Sequence, residues 1–218
     1  GNIQLECLDL GETVLSLNKV KWLQSLCKNE LVMLEKLDLG ESVWGEEHIK
    51  VFLWNLFTGY NALTRISLSA TKMPAAGIDL LMYYLQSPHC GIKVFSSGIT
   101  NLGDTGLSRI LNKALQKDSS LEACILSEQN FNQSNADKLA SLIKQGSSLQ
   151  HLALLDCGWS QDIQADLGGV KKASIKRIYI EAVQKKHDCD SLMHALESWG
   201  YKIARQCGAQ SYWMTPRD

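Results

Sequence analysis

The chain has 218 residues, 45% of them hydrophobic and 21% charged, with a formal net charge of -1. That size buries a core as one large domain or two small ones, and the balance of apolar and charged residues excludes a disordered polar chain. Near-neutrality gives no general attraction to nucleic acid or an anionic membrane, and no run nears the roughly 18 apolar residues of a membrane span.

In chain order, an L-x-x-L-x-L pattern opens successive segments. It stands at Leu5, Leu8, Leu10, then at Leu34, Leu37, Leu39, and again at Leu63, Ile66, Leu68, each 29 positions after the last. The next step of 29 reaches Ile92, Phe95, Ser97, and another reaches Leu121, Cys124, Leu126. Steps of 28 and 26 then give Leu149, Leu152, Leu154 and Ile175, Ile178, Ile180. The pattern departs at Ser97, a hydroxyl where an aliphatic is expected. A second apolar column fails at Lys185, ten residues after Ile175; ten residues after the other six opening positions it holds Leu15, Trp44, Met73, Leu102, Phe131 and Trp159. Two residues before it stand Thr13, Ser42, Thr71, Thr100, Gln129 and Cys157, small or polar groups suited to bonding backbone where a strand turns outward.

Each segment then reads as a helix. Val20, Leu23 and Leu26 recur at helical spacing, as do Ile49, Phe52, Leu53 and Leu56, and then Ile78, Leu81, Met82 and Leu85. Leu107, Ile110, Leu111 and Leu115 follow, with Asp104 as the expected N-cap, and then Leu139, Leu142 and Ile143. Gly158 to Ser174 is poorly apolar, which predicts a short or irregular sixth helix.

Segments that each expose an apolar strand face and an apolar helix stripe fold only by stacking. Three of them, Leu5-Glu6-Cys7-Leu8-Asp9-Leu10, Leu34-Glu35-Lys36-Leu37-Asp38-Leu39 and Leu149-Gln150-His151-Leu152-Ala153-Leu154, resemble the leucine-rich repeat family in its ribonuclease-inhibitor-like class. The resemblance covers about residues 5 to 183. It implies an α/β solenoid of horseshoe form, with a parallel β-sheet on the concave face and helices on the convex face. On this reading 1–218 is a single domain of about seven repeats (5–33, 34–62, 63–91, 92–120, 121–148, 149–174 and 175–200) with a capping segment over 188–218. A helix around Ser191 to Trp199 and the aromatics Tyr212 and Trp213 belong to that cap.

Alternation along a strand aims the third and fifth positions of each run at the concave face, followed by residues at the strand exit. The candidate partner-binding residues are therefore Asp9, Glu12, Lys36, Asp38, Glu41 and Arg65 in the first three segments. In the later ones they are Ile125, Glu128, His151, Leu155, Arg177 and Tyr179. Val94, Ser96 and Gly98 occupy the same positions of the fourth segment. The first group is mostly acidic. In the second, Ile125, Leu155 and Tyr179 form an apolar set of the kind that protein partners cover.

Catalytic readings fare worse. Asp9 and Asp38 lie on an open surface rather than in a pocket, and a nucleophilic pair of Cys124 with His151 would use a thiol from the core column. His187, Cys189 and His194, with Asp188 and Asp190 between them, match no zinc spacing. No cofactor, no metal, no nucleic acid and no membrane insertion are expected. The seven cysteines, at 7, 27, 90, 124, 157, 189 and 207, include no C-x-x-C pair, which fits free thiols in a reducing compartment and a cytoplasmic site. The expected function is non-enzymatic recognition of another protein or of neighbouring domains in a longer parent chain. The family resemblance implies the ligand-sensing or autoinhibitory C-terminal repeat domain of an innate immune receptor of the NOD-like kind. The alternative it implies is a regulatory or structural repeat protein, such as a bacterial effector, an inhibitor, or an actin- or GTPase-regulating repeat.

Overall fold

Each L-x-x-L-x-L run becomes a short strand because its leucines recur on one side of an extended backbone, and apolar side chains of the described helices, among them Val20, Ile49, Phe52, Leu81, Leu107 and Leu139, are buried behind the strands. The computed structural model describes residues 6–14, 16–27, 34–42, 45–59, 62–69, 71–99, 102–116, 119–145, 147–159, 163, 175–181, 192–194, 196–197, 201–208 and 211–216. The chain divides into two compact units, Gly1–Leu102 and Gly103–Asp218.

The first unit alternates β1 (Cys7–Asp9), α1 (Leu17–Cys27), β2 (Lys36–Asp38), α2 (Glu46–Gly59), β3 (Arg65–Leu68), α3 (Ala75–Gln86) and β4 (Val94–Ser97). Its strands are parallel and in sequence order, with Cys7 opposite Lys36, Lys36 opposite Arg65 and Arg65 opposite Val94. Each partner therefore lies 29 residues along the chain, the step read from the leucines. Leu37, Leu39, Ile66, Leu68 and Phe95 are at most 1% exposed, and Ile49, Phe52, Leu53, Leu81 and Met82 meet them from the helices with equal burial. Burying such a side chain contributes roughly 1.5–3 kcal/mol. Leu8, on the edge strand β1, and Leu10, just after it, are half-buried.

Helices α2 and α3 approach closely because Gly77 has no side chain. A Cβ there would stand 2.8 Å from Met73 Cγ and 2.9 Å from Ile49 Cγ1. Sequence order and periodicity predict the helix, but not the close approach.

The second unit contains α4 (Gly103–Leu115), β5 (Ala123–Ser127), β6 (Asn130–Phe131), α5 (Gln133–Gln145), β7 (His151–Leu155), β8 (Gly158–Trp159), β9 (Arg177–Glu181), β10 (Tyr201–Gly208) and β11 (Ser211–Pro216). Parallel pairing sets Ala123 opposite His151 and His151 opposite Arg177, again at the 28- and 26-residue steps of the sequence. Phe131 and Trp159, from the second column, pair in the small parallel β6–β8 ladder with ring centroids 5.4 Å apart. Both are buried, as are Met73 and Leu102 of the same column. Leu15 and Trp44 lie outside the residues whose side chains are described.

The described members of the polar column bond the backbone at the strand exits as their chemistry predicts, and Thr100 lies outside the described residues. Thr13 Oγ1 donates to Leu10 O at 2.6 Å, Ser42 Oγ to Leu39 O, and Thr71 Oγ1 to Leu39 O at 3.0 Å. Gln129 Nε2 donates to Ser127 O at 2.7 Å, and the Cys157 thiol to Leu126 O at 3.4 Å.

Three expectations need correction. Asp104 does not precede helix α4; the helix starts one residue earlier, at Gly103, and Asp104 lies in its first turn. Gly103 takes φ +66 there, a conformation open to glycine, and the Asp104 carboxylate favours the helix N-terminus from within. Gly98 is buried rather than displayed. The capping segment contains a β-hairpin as well as helical residues at 192–194 and 196–197. Its strand β11 pairs antiparallel with both β9 and β10, so the last two strands depart from the parallel rule. Tyr201 anchors this hairpin. It is fully buried and its hydroxyl donates to Ile175 O at 2.9 Å. The expected irregular helix in 160–174 falls outside the described residues, apart from residue 163.

Candidate binding face

The face of each sheet opposite its buried leucines carries Asp9, Lys36, Asp38, Arg65, Ile125, His151, Leu155, Arg177 and Tyr179, while Glu12, Glu41 and Glu128 lie in the turns that follow their strands. In the first unit the positions at strand entry are Cys7, Lys36, Arg65 and Val94, neighbours in register. Lys36 and Arg65 are exposed, side by side on adjacent strands. The next row holds Asp9, Asp38, Ser67 and Ser96. Its two aspartates are tied into turns: Asp9 Oδ1 accepts Gly11 N–H at 2.8 Å and Asp38 Oδ1 accepts Gly40 N–H at 2.8 Å. Such bonds hold the chain in an Asx turn as it leaves the strand.

Glu12 and Glu41 close these turns in a left-handed backbone, at φ 56 and 55. Their amides donate to the next segment, Glu12 N to Gly40 O at 2.9 Å and Glu41 N to Ser69 O at 2.7 Å. Glu128 and Asp156 repeat this device in the second unit, at φ 58 and 48, donating to Leu155 O and Glu181 O. Four non-glycine residues thus hold a conformation that costs L-residues roughly 1–2 kcal/mol. All four are acidic, and nothing in the backbone geometry demands a carboxylate there.

In the second unit the rows differ in character. At strand entry, Ala123, His151 and Arg177 are register neighbours, with His151 and Arg177 exposed. In the middle stand Ile125, Ala153 and Tyr179, all half-buried. At the exit are Ser127, Leu155 and Glu181, with Leu155 half-buried. The Tyr179 hydroxyl donates to Glu181 Oε2 at 2.7 Å, which orients the ring along its own strand.

The hairpin extends this surface in a way the sequence reading missed. Trp213 takes the register position beside Tyr179, and Arg205 the position beside Trp213. Lys202 pairs with Thr215, two positions beyond Trp213, and therefore continues the entry row begun by His151 and Arg177. The missed signal was two short runs, Tyr201 to Gln206 and Tyr212 to Thr215, on either side of Gly208.

Burial pushes the Cys124 thiol up to about 12, and the neighbouring Cys157 adds to the shift, so Cys124 is protonated at neutral pH. His194 is exposed, while His187, Asp188, Cys189 and Asp190 lie outside the described residues. Among the described residues no group of His, Cys, Asp or Glu is placed to hold a metal ion, and no helix is long and apolar enough to cross a membrane. No family model matches this chain, and a search of curated proteins finds no match.

Proposed function

We propose that this chain is a non-enzymatic recognition module that binds another protein through the open strand face. Both units then belong to the leucine-rich repeat class that the sequence resembles, and the curvature of that class is part of the same proposal. The observation that carries it is the second unit's strand face, where Ile125, Ala153, Leu155 and Tyr179 remain half-buried between exposed His151 and Arg177 and exposed Glu128. An apolar centre within a polar rim is the composition of a protein-binding patch. Beneath it β7 is paired in parallel with β5 and β9, and β9 is paired antiparallel with β11, so the side chains are presented from a rigid platform. The role as a ligand-sensing or autoinhibitory domain of a cytoplasmic innate immune receptor belongs to this proposal, with a neighbouring domain as the partner. Cys7, Cys90, Cys124 and Cys157, the cysteines whose side chains are described, are free thiols, which supports a reducing location.

The test is site-specific photo-crosslinking in native cell extract. A photoreactive residue at position 155 should capture a discrete protein, and one at position 141 on helix α5 should not. Capture from 141 with none from 155 would place the interaction on the helices and sink this reading.

A further inference from the structure

We infer that the strand face of the second unit is built for an acidic helical segment of a partner protein, laid across the strands. This rests on the recognition reading above and adds the partner's chemistry. Three cationic or hydrogen-bond-donating side chains, His151 on β7, Arg177 on β9 and Lys202 on β10, fall on one row at the entry side of the sheet. All three are exposed. One row further in, Ile125, Ala153 and Tyr179 form the apolar strip. At the exit side the sign reverses, with Glu128, Asp156 and Glu181. Glu181 already accepts the Tyr179 hydroxyl, and the other two sit at left-handed turn positions. A ligand on this face therefore meets cations on one flank, apolar surface in the middle and carboxylates on the other. That order gives it a single orientation.

The spacing selects the ligand's form. Adjacent strands lie about 4.8 Å apart, so His151 and Arg177 are separated by one such step and Arg177 and Lys202 by two, with β11 between them. A helix rises about 1.5 Å per residue, so side chains three or four positions apart advance by about 5 Å along its axis. Carboxylates at those intervals match the strand step, and an apolar stripe beside them rests on Ile125 and Tyr179. An extended segment advances by about 6.6 Å between side chains on the same side and falls out of step within two strands. Arginine suits this role because its planar fork takes a carboxylate by two parallel hydrogen bonds.

The experiment uses the whole chain and a synthetic amphipathic helical peptide with a leucine stripe flanked by glutamates at three- and four-residue intervals. A second peptide replaces every glutamate by lysine, and a single-stranded oligonucleotide is the third probe. Binding is read by fluorescence anisotropy at low and moderate salt. The glutamate peptide should bind, weaken with salt, and lose at least tenfold in affinity with Arg177→Glu. His151→Glu should weaken it less, and Lys21→Glu, exposed on helix α1, should leave it unchanged. Equal binding of the two peptides, no binding of either, or preferential binding of the oligonucleotide overturns the inference. Retained protection of the Cys124 thiol in each variant confirms folding. Failure of the peptides with crosslinking from position 155 intact refutes only the partner's chemistry, whereas loss of both removes the recognition reading itself.

Discussion

Two buried serines of the first unit should respond in opposite directions to the same substitution. Ser97 ends strand β4 with no exposure, at a position that leucine fills in the paired strand, where Leu68 stands opposite. Its hydroxyl oxygen has no hydrogen-bond partner among the described residues. A buried hydroxyl in that state carries its full desolvation penalty, about 1–3 kcal/mol. Ser97→Ala removes the oxygen at almost constant volume and should stabilise the chain by about 1–2 kcal/mol, a gain set by that penalty. For a chain of this length that raises Tm by a few degrees, about 2–4 °C per kcal/mol. Ser42 is equally buried, at 2% exposure, but its hydroxyl donates to Leu39 O. Thr71 bonds the same carbonyl, so Ser42→Ala leaves that acceptor satisfied and should cost only about 0.5–1.5 kcal/mol. Equilibrium urea unfolding reads both, as midpoint shifts at unchanged slope. If both variants move the midpoint the same way, the argument from hydrogen-bond satisfaction is refuted.

Three further outcomes follow from the same geometry. Glu41→Gly should be neutral or stabilising because Glu41 sits at φ 55, while Glu41→Val should lose about 1–2 kcal/mol or more in thermal unfolding. Gly77→Ala should destabilise despite alanine's better helix propensity, since the new Cβ would meet Met73 Cγ at 2.8 Å and Ile49 Cγ1 at 2.9 Å; overpacking of that kind costs about 1–3 kcal/mol. A smaller penalty for Gly77→Ala in an Ile49→Ala background would confirm the contact in a double-mutant cycle. Alkaline pH should weaken the fold through Cys124, raised by burial from its ordinary 9.0 to about 12. The folded thiol keeps its proton where the unfolded one loses it, so stability is full below about pH 9 and falls as pH rises towards 12. Urea midpoints measured from pH 8 to 10.5 should show this decline, and Cys124→Ala should flatten it; an unchanged slope would count against the buried thiol as its source.

The leucine columns made much of this architecture legible. Their spacing gave the strand register to the residue, because parallel neighbours separated by one helix must repeat at the length of the whole strand–helix segment. The polar column was equally informative, since hydroxyls and amides placed just after a strand have the exiting carbonyls within reach. Alternation also identified the displayed face, including Lys36, Arg65, His151, Arg177 and Tyr179. It could not show that Asp9 and Asp38 are engaged by Gly11 and Gly40, because an aspartate on a surface looks the same in sequence whether its carboxylate is solvated or closes a turn.

The sequence by itself determined the local elements and their order, since side-chain periodicity follows from backbone geometry within each segment. Only the tertiary structure decided what depends on distant partners. The antiparallel hairpin, with register irregularities between Ile203 and Arg205 and between Gln206 and Gly208, breaks the alternation that would announce it. Whether Ser97 finds a hydrogen-bond partner, how closely Gly77 lets α3 approach Ile49, and how Lys202 enters the row of His151 and Arg177 are all set by chains meeting across the fold. No periodicity along a single segment encodes such meetings.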